Sequence, residues 1–302
     1  MASQMPQEPT RNTPFDRALR RLRRDRAARE KRAAGYLHRR AAEDMYDRLD
    51  SVNRRFETAL VIGCSDNWLC DRLRDRGLRV LTCDPGALFT RNAVGFQCDE
   101  DFLPLADASV DLVMAVGTLD SVNDLPGALT LVRRILVPDG LMLAAFAGAG
   151  SLPRLRSALR AAEEAQQLAP SPRIHPQIDV RAAGDLLMRA GFALPVVDSD
   201  KVNVRYPGLI QLVRDLRAMA ATNLLCVRAR HPFGRLGLTA AVADFASAAD
   251  SDGKTEESFV ILHLSGWAPS ADQPRPARRG SATASLADAL GKFPPPSDNH
   301  QG

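Results

Sequence analysis

Four short apolar runs in the first half of the chain each end in residues that could do chemistry. ALVIGC (59–64) opens into Gly63-Cys64-Ser65-Asp66-Asn67. The run ending at Cys83 leads to Asp84, and the one ending at Cys98 leads to Asp99-Glu100. VDLVMAV (110–116) opens into the polar loop from Gly117 to Asn123, which contains Asp120. A glycine turn lets the backbone approach a ligand closely. A carboxylate has two acceptor oxygens, so one acid can take both hydroxyls of a ribose. Asp84 alone is also an ordinary turn residue ahead of Pro85-Gly86; the ordered series of strand ends carries the reading.

Such a series needs a scaffold that brings strand ends together. From residue 59 onward, strand-sized apolar runs at 59–64, 78–83, 95–98, 110–116 and 141–147 alternate with amphipathic stretches at 66–77 and 124–137. Near-continuous apolar strands separated by helices predict a doubly wound α/β sheet of Rossmann-like type, which binds ligands outside the carboxyl ends of its strands. The second half predicts helices at 151–168 and 179–191, extended structure at 192–206, a helical insert at 207–250 and a late strand at 257–267, antiparallel to the others. The organisation expected is a disordered tail over 1–14, basic helices over 15–50, the α/β domain over 51–268 and a Pro-rich tail over 269–302.

The 302 residues are 45% hydrophobic and 25% charged, which suits a globular protein with a sizeable core. No apolar run reaches the ~18 residues of a membrane span, so no transmembrane segment is expected. The formal net charge of +4 is unevenly placed. Residues 11–40 hold twelve Lys and Arg against Asp16, Asp25 and Glu30, which leaves the remainder acidic. Residues 15–32 are expected to pack Leu19, Leu22 and an alanine stripe on the core and to show an arginine face to an acidic protein partner. Nucleic acid is not expected, because Phe15 is the one aromatic in that stretch. Five cysteines without CxxC spacing read as reduced thiols, consistent with a cytoplasmic protein. The histidines show no metal-ligand spacing. His175, between Ile174 and Pro176, reads as a solvated loop histidine.

Longer strings carry a family resemblance. FDRALRRLRRDRAA (15–28), CDEDFLPLADASVDLVMA (98–115), VNDLPGAL (122–129), PDGLMLAAF (138–146), SPRIHPQIDVRAAGDLLMRAGFALPVVDSD (171–200) and YPGLIQLVRDL (206–216) resemble class I S-adenosylmethionine-dependent methyltransferases. Within them the chain is similar to the arginine-hydroxylase branch of complex I assembly factors and its alphaproteobacterial relatives. It is more distantly similar to malonyl-acyl-carrier-protein methyltransferases.

The resemblance implies S-adenosylmethionine as cofactor. Gly63 would lie under its methionine portion, Asp84 would take the ribose, Asp99 with Phe102 would hold the adenine, and Ser65 and Gly117 would be further cofactor-binding residues. Asn123, Asp124, Tyr206, Met219 and Asn223 would border the acceptor pocket. Asp120 is the candidate general base. The acceptor implied is an arginine of a respiratory-complex subunit, reached from the cytoplasm or peripherally at the inner membrane. The family's first motif begins with an acid and has a glycine-rich turn; here Val61, Ser65 and Asn67 stand at those positions. Weak cofactor binding, carried mainly by the adenosine half, is therefore expected. Two readings stay open: an enzyme, or a non-catalytic paralogue that keeps the fold and serves as a binding or assembly protein.

Overall fold

The computed structural model describes residues 13–30, 35–63, 66–91 and 94–273. Most of the expected N-terminal tail and the Pro-rich tail beyond residue 273 lie outside the described residues. The described residues up to Pro269 form one compact unit, and Ser270–Gln273 belong to a second.

Seven strands form one sheet in the order β3-β2-β1-β4-β5-β7-β6. They are β1 (Thr58–Ile62), β2 (Arg79–Asp84), β3 (Gly95–Gln97), β4 (Val110–Val116), β5 (Leu136–Ala147), β6 (Ala193–Tyr206) and β7 (Thr255–Trp267). The first five are mutually parallel. β7 runs antiparallel between β5 and β6. The central β1 and β4 are buried along nearly their whole length, as parallel strands covered on both faces must be.

Among the described residues the α-helices number eight: α1 (Arg17–Glu30), α2 (Tyr36–Asp50), α3 (Trp68–Asp75), α4 (Leu125–Ile135), α5 (Pro153–Ala165), α6 (Val180–Arg189), α7 (Leu209–Ala218) and α8 (Arg235–Ser247). One sheet face packs Leu60, Ile62 and Val113 against Leu129 and Val132 of α4 and Leu187 of α6. The other packs Val61 and Met114 against Met45 and Leu49 of α2 and Leu73 of α3. A third cluster joins α5, α7 and α8 through Leu155, Leu212 and Phe245.

Local chemistry explains the helix starts. Asp124 accepts from the Gly127 N–H at 2.9 Å and caps α4, and Asp179 accepts from Ala182 at 2.8 Å and caps α6. α5 has Pro153 at its start and no cap of its own. Glu257 of β7 serves instead, accepting from the Arg154 and Leu155 N–H groups at 3.2 and 2.8 Å. Its carboxylate is fully buried, and these donors offset the cost of that burial.

One boundary differs from the sequence reading. Pro138-Asp139-Gly140 reads as a helix stop before a strand at 141. The strand begins at Leu136, beside Val110, and a register shift in the β4–β5 ladder absorbs the turn residues. Pro195 lies inside β6, where the ladder also shifts between Ala193 and Val196. β6 is an edge strand, so a missing N–H is tolerated there.

The larger correction concerns α1. Leu22 is 52% exposed, whereas Arg20 and Arg24 are each 4% exposed. The helix turns an arginine face inward, because the inward neighbours are the acids at the strand ends.

Candidate active site

The carboxyl ends of β1, β2, β3 and β4 meet at one edge of the sheet. Gly63 follows β1 with φ +76°, and a Cβ there would stand 2.2 Å from Thr118 Cγ2 and 2.6 Å from the Val116 carbonyl oxygen. Only glycine allows that approach. Asp84 ends β2 and is buried, as are Asp99 and Glu100 after β3. Gly117 follows β4 with φ +65° and donates its N–H to the Ala145 carbonyl at 2.8 Å. Ser65 lies outside the described residues.

Three buried carboxylates in one cleft require counter-charge. α1 supplies it. Arg17, Arg20, Arg21 and Arg24 follow the i, i+3, i+4, i+7 spacing of one helix face. Arg24 Nε reaches Asp84 Oδ1 at 3.1 Å, its Nη2 donates to Asp84 Oδ2, and the same Nη2 lies 3.3 Å from the Gly63 carbonyl oxygen. Arg20 makes a two-pronged pair with Glu100 at 2.6 and 2.8 Å and donates to the Thr118 carbonyl at 2.8 Å. Arg21 contacts Asp99 at 2.6 Å. Arg17 pairs with Asp101 at 2.7 and 2.6 Å and lies over the exposed Phe102 ring at 4.9 Å. Burial beside Glu100 leaves Arg20 firmly charged: its partners outweigh desolvation and raise its pKa. Desolvation still pushes Asp84 upward, against the pull of Arg24.

These contacts decide whether the family's cofactor fits the described arrangement. Asp84 Oδ1 also accepts from the Gly86 N–H at 2.6 Å, so both of its oxygens are taken. Arg24 covers the Phe89 ring at 4.4 Å. His38 of α2 stands over Gly117, with Nε2 2.4 Å from where a Cβ would be. With α1 docked, the position expected for the ribose holds a guanidinium, and the expected adenine holders Asp99 and Phe102 are engaged by Arg21 and Arg17. The residues present do not accommodate the nucleoside in this arrangement.

Beside the cleft lies a cavity of about 250 Å³. Its wall includes Asp120, His38, His175 and Gly117, with Met219 and Asn223 of the insert. Burial raises the Asp120 pKa to about 6, against the pull of Arg20. Burial lowers His38 and His175 to about 4 each, so both rings are neutral at pH 7. His175 is thus not a solvated loop histidine: Nε2 accepts from the Leu224 N–H at 3.0 Å and the ring meets Phe15 edge-on at 5.0 Å. The hydroxyl of Tyr206 bonds to that of Tyr36 at 2.5 Å, so it ties the end of β6, just ahead of the insert, to the start of α2. Asn123 holds the backbone of Phe15 through both ends of its amide, at 2.8 and 3.0 Å. Asp124 is occupied as the α4 cap.

The sequence reading named Glu100 among the strand-end acids but missed its partner Arg20, and missed Arg24 and His38 as well. The arginine face was visible as the helical spacing itself, and the strand-end acids already lacked partners on paper. No helix among the described residues is long and apolar enough to cross a membrane. No group of three or more His, Cys, Asp or Glu among them is placed to hold a metal.

Comparison with known proteins agrees with this geometry. Residues 60–144 match the methyltransferase domain family model. The chain is 34% identical to the mitochondrial arginine-hydroxylase NDUFAF5 of Danio rerio, over 91% of this chain and 88% of that protein. It is likewise 34% identical to the human protein of that name, over 92% of this chain and 84% of the relative. A malonyl-[acyl-carrier protein] O-methyltransferase of Methylovorus is 32% identical over 82% of this chain and 87% of its own length. Among solved structures, the methyltransferase in the Haloferax volcanii Trm112 activator complex aligns with a TM-score of 0.50 at 16% identity, over 84% of this chain and 99% of that one. The order of strands, the acids at their ends and the identity along nearly the whole chain place this protein in the class I S-adenosylmethionine-dependent methyltransferase superfamily, in the branch that holds the NDUFAF5 arginine hydroxylases.

Proposed function

We propose that this protein modifies an arginine of a respiratory-complex subunit, in the assembly of complex I. The observation that carries the reading is the 34% identity to relatives named as arginine hydroxylases, sustained over 91% of the chain and through the insert that covers the cavity. The same identity to named enzymes favours catalysis over a purely binding paralogue.

In this reading the cavity wall receives the acceptor, with Met219 and Asn223 along it and Tyr206 joining the end of β6 to α2. Asp120 is the base. A carboxyl whose pKa is raised to about 6 can take a proton near neutrality more readily than an ordinary aspartate. Gly63, Asp84, Asp99, Phe102 and Gly117 form the cofactor side once α1 is displaced. The setting proposed is peripheral to the inner membrane.

The test is mass spectrometry of arginine-bearing peptides from respiratory-complex subunits. They are incubated with the purified chain and S-adenosylmethionine, with dioxygen and a reductant supplied in a parallel arm. Gain of an oxygen or of a methyl group on arginine, lost in Asp120→Asn, is the expected result. Unmodified peptides in both arms defeat the reading.

A further inference from the structure

The cleft at the strand ends contains a ligand that belongs to the chain itself. Arg24 meets both oxygens of Asp84, Arg20 meets both oxygens of Glu100, and each also donates to a backbone carbonyl lining the cleft, at Gly63 and Thr118. Two-pronged, charge-assisted contacts of this kind recognise a guanidinium by shape as well as by charge.

A second observation is steric and independent of charge. Gly86 lies two residues after Asp84, and a Cβ on it would stand 2.6 Å from the Arg24 Cβ. Its backbone is extended, at φ −89° and ψ 121°, which any residue adopts. Glycine is needed there because α1 comes so close, not because the loop is strained.

A third observation is what α1 lacks. Its inward face is built mainly from arginines, with Ala27 buried, Leu19 partly buried against Phe15, Leu224 and Leu225, and Leu22 turned to solvent. The helix is held by ion pairs and by a latch at its start. There Asn123 grips the Phe15 backbone, and the Asp16 N–H donates to the Leu224 carbonyl at 2.9 Å. An element docked through polar contacts leaves without exposing a large apolar face, and its charges regain water when it does.

We propose that the strand-end acids form a guanidinium-binding site filled by α1, and that α1 docking and nucleoside binding are mutually exclusive. Asp84 cannot accept ribose hydroxyls while both its oxygens receive Arg24. The cofactor therefore binds to the fraction of molecules in which α1 has left, and its apparent affinity falls by that fraction. The inference rests on the strand-end cleft being the cofactor side of the proposed site, and it does not depend on which acceptor is used.

The experiment measures binding of S-adenosylhomocysteine, which needs no acceptor, by titration calorimetry on the full chain. Arg24→Gln removes the guanidinium. Gly86→Ala pushes on α1 without altering any charge. Each is expected to tighten binding about tenfold or more relative to the unaltered chain. In parallel, hydrogen exchange across 17–30 of the unaltered chain is expected to speed up at saturating ligand. Should Arg24→Gln fail to fold, Gly86→Ala and the exchange measurement decide. Unchanged or weaker binding in the variants overturns the proposal. So does α1 staying protected while ligand binds, or no binding by any form at millimolar ligand. A chain that binds the nucleoside and releases α1 yet modifies no arginine defeats the proposed acceptor and leaves this inference standing.

Discussion

Arg24 and Asp84, 60 residues apart in sequence, form a buried ion pair at the point where β2 ends. Removing one member of such a pair leaves the other charge in a low-dielectric site, whereas removing both can be nearly neutral. Arg24→Leu and Asp84→Leu are each expected to cost roughly 3 kcal/mol in urea unfolding. The double variant should cost clearly less than the two together. Strictly additive losses would show that the pair is not coupled.

Acid should weaken the fold through its buried histidines. His38 and His175 titrate at about 4 in the folded chain against 6.5 for an ordinary histidine, and burial also lowers His263. A depressed folded pKa means that the unfolded chain binds protons first. The contribution of each ring is whole above pH 6.5 and is lost as pH falls through about 4. For His38 and His175 it amounts to at most about 3 kcal/mol each. Asp120 works the other way, since its raised pKa makes its burial less costly as pH falls below about 6. Melting temperatures recorded between pH 7 and 4 should drop for the native chain and drop less for His38→Asn. An equal drop in both would remove His38 from the account.

At Gly63 a methyl group has nowhere to go. It would overlap Thr118 and the Val116 carbonyl at a backbone angle that side chains rarely adopt. Gly63→Ala should destabilise by roughly 2 kcal/mol or more. Gly63→Ala combined with Thr118→Gly should recover part of the loss, since the side-chain overlap goes and the backbone strain remains. Chemical denaturation of the three variants checks both statements.

Asn123→Ala removes the clamp on Phe15. Each lost hydrogen bond is worth about 1 kcal/mol net. Limited proteolysis is expected to cut ahead of or within α1 sooner in the variant, with the sheet domain remaining intact. An unchanged cleavage rate would assign the hold on α1 to its arginines alone.

The sheet was legible because its strands are short, apolar and separated by helices of another period. Leu60, Val113 and Leu143 could only sit in strands buried on both faces. The start of β5 was not, since Pro138-Asp139-Gly140 has the chemistry of a stop and the irregularity that absorbs it depends on where β4 lies. The strand-end acids were legible as a series. Their partners were not, because charge composition treats a run of arginines as a solvated face. Whether Arg20 meets water or Glu100 is decided by a contact across 80 positions. His38 was hidden for the same reason, as nothing local says that α2 will lay it over Gly117.

The place of β7 has a consequence for how the chain is made. Among the described residues it follows the other six strands in sequence, and it lies inside the sheet between β5 and β6. A ribosome that has released residues only as far as Asp250 has delivered the other strands but not the one that joins them. Until β7 arrives, the inner edge of β5 is an open ladder next to apolar surface, a template for pairing with another nascent chain. The arginines of α1 precede the strands in sequence, and their partners between Asp84 and Asp101 are all present once β2 and β3 have emerged. The acid cleft can thus be neutralised early in synthesis, while closure of the sheet awaits the final strand.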